Sequence, residues 1–118
     1  MAASPDKTGI EIALSNGDAL ASLYGRIDID SSPAVRDRLL TLFQAPYPNS
    51  VTVDLSAVGH IDSSGIATLI EALKIARSQK IEMRLQGLHD RLFEFFELTG
   101  ILALFNGSSK MHESGKAV

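Results

Sequence analysis

The segment HIDSSGIATLIEALKIA, residues 60–76, sets an imidazole, a carboxylate and two adjacent hydroxyls ahead of a strongly amphipathic helix pattern. Asp62 or Ser63 can accept from the orphan N–H groups of the first turn, the ordinary role of such residues there. One cap suffices, so one hydroxyl is spare. Gly65 inside the first turn costs helix propensity, which points to close approach or local freedom. A phosphate added at a helix N-terminus is partly stabilised by free N–H groups and the helix dipole. Asp62 next door opposes it through like charge, and the two effects are comparable. Modification there could change affinity for a partner without unfolding the domain.

Other chemistries fit less well. His60 is the nearest base for Ser63, but residues three apart around a turn seldom orient that way. No third group is evident to fix its ring. His60, His89 and His112 lack metal-ligand spacing, and His112 is expected outside the folded region. Gly59, Gly65 and Gly87 form neither a Walker loop nor a G-x-G-x-x-G fingerprint. Asp28 and Asp62 could sit close together, yet two carboxylates alone do not make an enzyme. No catalytic residue, cofactor or metal is expected.

Composition narrows the class. The 118 residues are the size of one domain, and a hydrophobic content of 45% suffices for a core. The chain has no cysteine, which excludes disulfides, thiolate metal sites and thiol catalysis. A net charge of −3, with 11 Lys and Arg scattered among 14 acidic residues, argues against direct nucleic-acid binding. No apolar run approaches the roughly 18–20 residues of a membrane span. The start, MAASPDKTG, lacks the basic-then-apolar order of a signal peptide. A cytoplasmic protein without membrane insertion is the expectation, though a partner could hold it beside a membrane complex.

The elements that must position Ser63 follow from periodicity. Residues 1–9 are small and polar and are expected to be flexible. IEIALS (10–15) alternates Ile10, Ile12 and Leu14 as a strand does. NG at 16–17 signals a hairpin, and DALASLYG (18–25) returns. RIDIDSSP leads into a helix over 33–44, with Ser31 or Ser32 as cap and Pro33 at its first position. Val35, Leu39, Leu42 and Phe43 form its buried stripe. VTVDLS (51–56) alternates and stays apolar through VGHI, as a central strand does. The helix over 63–77 buries Ile66, Leu69, Ile70, Leu73 and Ala76, and KIEMRLQG (80–87) is a further strand. A helix over 88–98 buries Leu88, Leu92, Phe95 and Phe96, with Phe93 at the edge of that arc and Gly100 at C′. ILALF (101–105) reads as a short strand or edge segment, and 106–118 as a flexible tail. The order β-β-α-β-α-β-α-β predicts a single α/β domain over 10–105, with a mixed sheet whose later strands are parallel. Sites in such sheets collect where a strand's carboxyl end meets the next helix, and 59–65 is such a junction.

VTVDLSAVGHIDSSGIATLIEALKIA resembles the central strand, loop and helix of the STAS domain. That is the fold of bacterial anti-sigma factor antagonists and of the cytoplasmic tail of sulfate transporters. LYGRID is similar to the family's strand ending in a Gly-x-x-Asp turn, and LFEFFELTGILALF to its final helix and closing segment. The resemblance covers about residues 10–105 and implies helices packed mainly on one face of the sheet. It implies that Ser63 is phosphorylated by a partner that is both a serine kinase and an anti-sigma factor, of the GHKL ATPase type. The antagonist would bind while Ser63 is unmodified and release once it is phosphorylated. Asp62 matches the preceding acid, Asp28 the acid of the Gly-x-x-Asp turn, and Ser64 and Gly65 complete the motif. GLHDR (87–91) departs from the family, whose members often have Ser-Pro before the last helix.

The expected partner-binding residues are Asp28, His60, Asp62, Ser63, Ser64 and Gly65. Thr68 and Ile75 join them, because they fall on the outer face opposite their helix's buried stripe. Two functions fit. One is bacterial signalling through transcription regulation, as an anti-sigma factor antagonist. The other is a cytosolic STAS accessory subunit of an ABC-type lipid or anion transport system, docked on the transporter's ATPase subunit.

Overall fold

Asn16 and Gly17 both adopt positive φ, 55° and 85°, the left-handed pair that a two-residue hairpin favours. They join β1 (Gly9–Ser15) to β2 (Asp18–Ile27) as antiparallel neighbours with Ser15 opposite Asp18. The computed structural model describes residues 8–109, so most of the expected flexible ends, and His112, lie outside the described residues. Helix α1 (Ser32–Thr41) leads to β3 (Ser50–Ile61), and α2 (Ser63–Ser78) leads to β4 (Glu82–Gln86). Helices α3 (Asp90–Thr99) and α4 (Ile101–Ser109) complete the order. The strands lie in the order β1-β2-β3-β4, with β2, β3 and β4 parallel.

Only one face of the sheet is covered. Ala19, Ala21 and Leu23 of β2, Val51, Val53 and Leu55 of β3 and Met83 of β4 are buried. Their alternates, such as Thr52, Glu82 and Arg84, lie on the open face. Alternation of that kind marks a sheet packed on one side. α1 packs on β1 and β2, and α2 on β3 and β4. The expected mixed sheet, with helices mainly on one face, is what the chain forms.

β3 is twice as long as VTVDLS suggests, for a reason that matters at the site. It carries one extra residue between Ser22 and Tyr24 of its partner, and another between Gly25 and Arg26. Each such bulge reverses the facing of the residues beyond it. Leu55, Val58 and Ile61, three apart, are therefore all buried. The strand reaches the corner with Ile61 inward and Asp62 free to open a helix.

The chain's last third differs from expectation. Residues 101–105 form the start of α4, not a strand. Ile101 and Phe105 are buried while Ala103 is exposed, whereas a strand would turn all three to one side. A short apolar run does not separate the two possibilities by periodicity alone. α4 continues to Ser109, past the expected boundary at 105. Gly100 does end α3 in the left-handed region, at φ 81°. In α3, Leu92 and Phe96 are buried, whereas Phe95 is exposed and rests edge-on against Phe96, centroids 6.4 Å apart.

Candidate functional site

β2 and β3 end side by side. Ile27 pairs with Ile61, and the Asp62 N–H donates to the Ile27 carbonyl at 3.1 Å. The turns that begin at Asp28 and Asp62 therefore leave the sheet as neighbours, at the carboxyl ends of two parallel strands. Gly65 sets α2 into this corner. A Cβ there would lie 2.5 Å from Cγ1 of Ile61 and 2.9 Å from Cγ2 of Ile27. Close approach is thus the reason for the glycine.

Asp62 is the cap. Its backbone is extended, and its Oδ1 accepts from the Ser64 N–H at 2.8 Å and the Gly65 N–H at 3.3 Å. Its carbonyl accepts from the Ile66 N–H. The Ser63 hydroxyl is the spare one: it is exposed and has no hydrogen-bond partner among the described residues. Replacing Asp62 by alanine is expected to cost about 1 kcal/mol in urea unfolding. An unchanged midpoint would mean that Ser63 can take over the cap.

This arrangement decides a balance that sequence leaves even. Two of the first-turn N–H groups that could stabilise a phosphate already serve the Asp62 carboxylate. Like charge therefore outweighs the helix dipole for any anion on Ser63.

Asp28 organises the neighbouring turn. Its Oδ1 accepts from the N–H groups of Asp30 and Ser31, and its carbonyl accepts from the Ser32 N–H and hydroxyl. Ser31, expected as a cap of α1, makes no side-chain cap bond. Its hydroxyl instead donates to the Arg26 carbonyl at 2.6 Å and accepts from the Asp28 N–H at 2.9 Å. The Ser31 N–H holds the Asp28 carboxyl below its ordinary value of 3.8, against the opposing effect of burial. The Asp30 N–H, the Ser31 hydroxyl and Arg26, 3.8 Å away, add to the lowering. A depressed carboxyl supports the fold above pH 3.8, and that support is lost as pH falls through its lower folded value.

Asp28, Asp62, Ser63 and Ser64 gather at this corner. His60 is exposed on β3 opposite Arg26, with no hydrogen bond to Ser63 among the described residues. Gly65 is buried, so it shapes the corner and does not present a surface. Thr68 and Ile75 do not lie on an open face. Thr68 is 5% exposed with its hydroxyl on the Ser64 carbonyl, and Ile75 packs half-buried against the core. The cause is α1. Arg36 of α1 donates two hydrogen bonds of 2.7 and 2.6 Å to Glu71, so the Thr68–Glu71–Ile75 side is the one that faces α1. The open stripe of α2 runs through Ser63, Ala67 and Lys74, flanked by half-buried Ile66 and Ile70.

Two features escape sequence reasoning. Ile29 is 71% exposed between Asp28 and Asp30; in RIDID it looks like the tail of an alternating strand. His89 places Nε2 2.8 Å from the Val58 carbonyl, fastening the entry of α3 to the bulged part of β3. Among the described residues, no three His, Asp or Glu side chains are placed to hold a metal, and no helix is long and apolar enough to cross a membrane.

Comparison with known proteins gives a consistent result. The model of the STAS domain matches residues 8–114. The anti-sigma-B factor antagonist of Bacillus subtilis is 26% identical over 101 residues, spanning 86% of this chain and 91% of that protein. Its counterpart in Listeria monocytogenes is 36% identical over 77 residues, spanning 65% and 67%. The crystal structure of an anti-sigma factor antagonist from Mycobacterium paratuberculosis superposes with a TM-score of 0.67 at 24% identity, over 88% of this chain and 87% of that one.

Proposed function

Because the chain belongs to the STAS domain family, we propose that it is a protein-binding regulator of the anti-sigma factor antagonist type, switched by phosphorylation of Ser63. The observation that carries this reading is the Ser63 hydroxyl. It is exposed and has no hydrogen-bond partner among the described residues, beside a cap that makes it structurally dispensable. The names of the relatives supply the class of partner, an anti-sigma factor. A GHKL-type ATPase that doubles as serine kinase would supply the phosphoryl group.

In the unmodified state the partner closes over Ser63, Ala67 and the half-buried Ile66 and Ile70 of α2. Asp28, Ile29, His60, Asp62 and Ser64 form the rim. For the switch, the Ser63 oxygen attacks the γ-phosphorus of ATP held by the partner. The bond to the β-phosphate oxygen breaks, ADP leaves, and the serine proton passes to a base on the partner. The product carries about −1.5 to −2 added charges. Those charges sit beside Asp28, Asp30 and Asp62, and a partner closing against them meets both desolvation and repulsion.

The direct test is a kinase assay with the cognate partner and ATP, mapped by mass spectrometry. One phosphate on Ser63 is expected, with none in Ser63→Ala. Labelling at full stoichiometry in Ser63→Ala would refute the assignment.

A further inference from the structure

The two edges of the sheet are guarded unequally. β4 is five residues long and carries exposed Glu82 and Arg84. Short length and charge are usual protections of an edge against pairing with another chain. β1, at the other edge, lacks them. It is seven residues long, has neither proline nor lysine, and keeps an unbroken register with β2 from Gly9 to Ser15. Its one charge is Glu11.

The hairpin decides which main-chain groups of β1 face outward. A two-residue turn closes on a hydrogen-bonded pair, here Ser15 and Asp18. Every second residue back along β1, namely Ala13, Glu11 and Gly9, therefore also turns its N–H and C=O toward β2. Those of Ile10, Ile12 and Leu14 point away from the sheet, and among the described residues no strand lies beside them. The Leu14 side chain, on the same edge, is 72% exposed.

We propose that β1 pairs antiparallel with β1 of a second copy of this chain, about a two-fold axis at Ile12. Ile12 then faces Ile12 of the second copy, and Ile10 and Leu14 face the Leu14 and Ile10 of that copy. Each pair exchanges two N–H···O bonds, so this register uses all three outward residues. The occupant is a second copy because the strand is complementary to its own reversal. Residues 10, 12 and 14 are apolar in either direction, and Glu11 falls opposite Ala13 instead of the other Glu11, so like charges do not stand face to face. A two-fold contact is closed, so assembly stops at a dimer with one sheet running through both copies. β2 separates β1 from β3, so the pairing leaves the Ser63 corner of each copy open and is independent of the phosphorylation reading.

Sedimentation velocity of the full chain, combined with cysteine cross-linking, tests this. Pairing through one short strand lies at the weak end of specific interfaces, so a monomer–dimer equilibrium is expected between about 5 and 500 µM. The chain has no cysteine, so a single introduced thiol reports on one position. Cα atoms of a hydrogen-bonded antiparallel pair lie about 5.5 Å apart, within reach of a disulfide. Ile12→Cys should therefore oxidise to a dimer at least about tenfold faster than Ser15→Cys, whose Cα atoms would lie about 20 Å apart along the paired strands. Leu14→Pro removes an outward N–H and spares the ladder to β2, so it should weaken dimerisation at least about tenfold. Should that variant fold poorly, the unaltered chain and the two cysteine variants still decide. A monomer throughout the range, equal oxidation rates for the two cysteine variants, or undiminished dimerisation of a folded Leu14→Pro chain would each overturn the proposal.

Discussion

Ser63→Asp is expected to weaken binding of the partner by roughly thirtyfold, about 2 kcal/mol, while leaving the fold intact. The stability half of this expectation follows from position. Ser63 is exposed and the cap at Asp62 is untouched, so the repulsion from Asp62, partly offset by the helix dipole, costs no more than about 0.5 kcal/mol. The affinity half follows from the surface. Ser63 lies on the open stripe with Ala67 and half-buried Ile66 and Ile70, so a partner closing there must strip water from the new carboxylate. One charge is less than a phosphate carries, so the effect is smaller than full release. Ser63→Ala should bind as the unaltered chain does, because its hydroxyl has no hydrogen-bond partner among the described residues to lose. Were Ser63→Asp to bind equally well in titration calorimetry, Ser63 would lie outside the interface.

The second large effect concerns Gly65. Gly65→Val is expected to destabilise the domain by about 2–3 kcal/mol. Its Cβ would be driven against side-chain atoms of Ile61 and Ile27, both within the core. Alanine at 65 meets the same contact but recovers about 1 kcal/mol of helix propensity, so its net cost is smaller. Ile27 and Ile61 are the residues before Asp28 and Asp62, so a valine that shifts them also displaces both turns. Loss of partner affinity should therefore accompany the loss of stability. Ala67→Val, on the exposed side of the same helix, is the control and should cost no more than a few tenths to about 0.7 kcal/mol of propensity. Equal urea midpoints for the two valine variants would show that the corner is not closely packed at Gly65.

Much of this architecture is legible in the residues themselves. Asn16–Gly17, Pro33 and Gly100 sit where their backbone preferences place them, and the period-two runs of β1 and β2 announce the hairpin. Periodicity alone puts the DSSG element at the end of a strand and the start of a helix. Three features are hidden for physical reasons. Two extra residues in β3 give Leu55, Val58 and Ile61 a spacing of three, which matches neither a regular strand nor a helix. The run at 101–105 is too short for its period to choose between forms, and tertiary packing of Ile101 and Phe105 decides for a helix. The outward face of α2 cannot be assigned from its own residues, because it depends on where α1 lies. The Arg36–Glu71 pair, 35 positions apart in the chain, marks the side of α2 that faces α1, and Thr68 and Ile75 lie on that side.

One change of charge at one oxygen is the centre of the proposed switch. The most direct test titrates the cognate partner by calorimetry with two preparations of the chain, one unmodified and one stoichiometrically phosphorylated on Ser63, both confirmed by intact mass. The unmodified chain should bind, and the phosphorylated chain should bind at least a hundredfold more weakly, with unchanged circular dichroism. Equal affinities for the two preparations would contradict the switch.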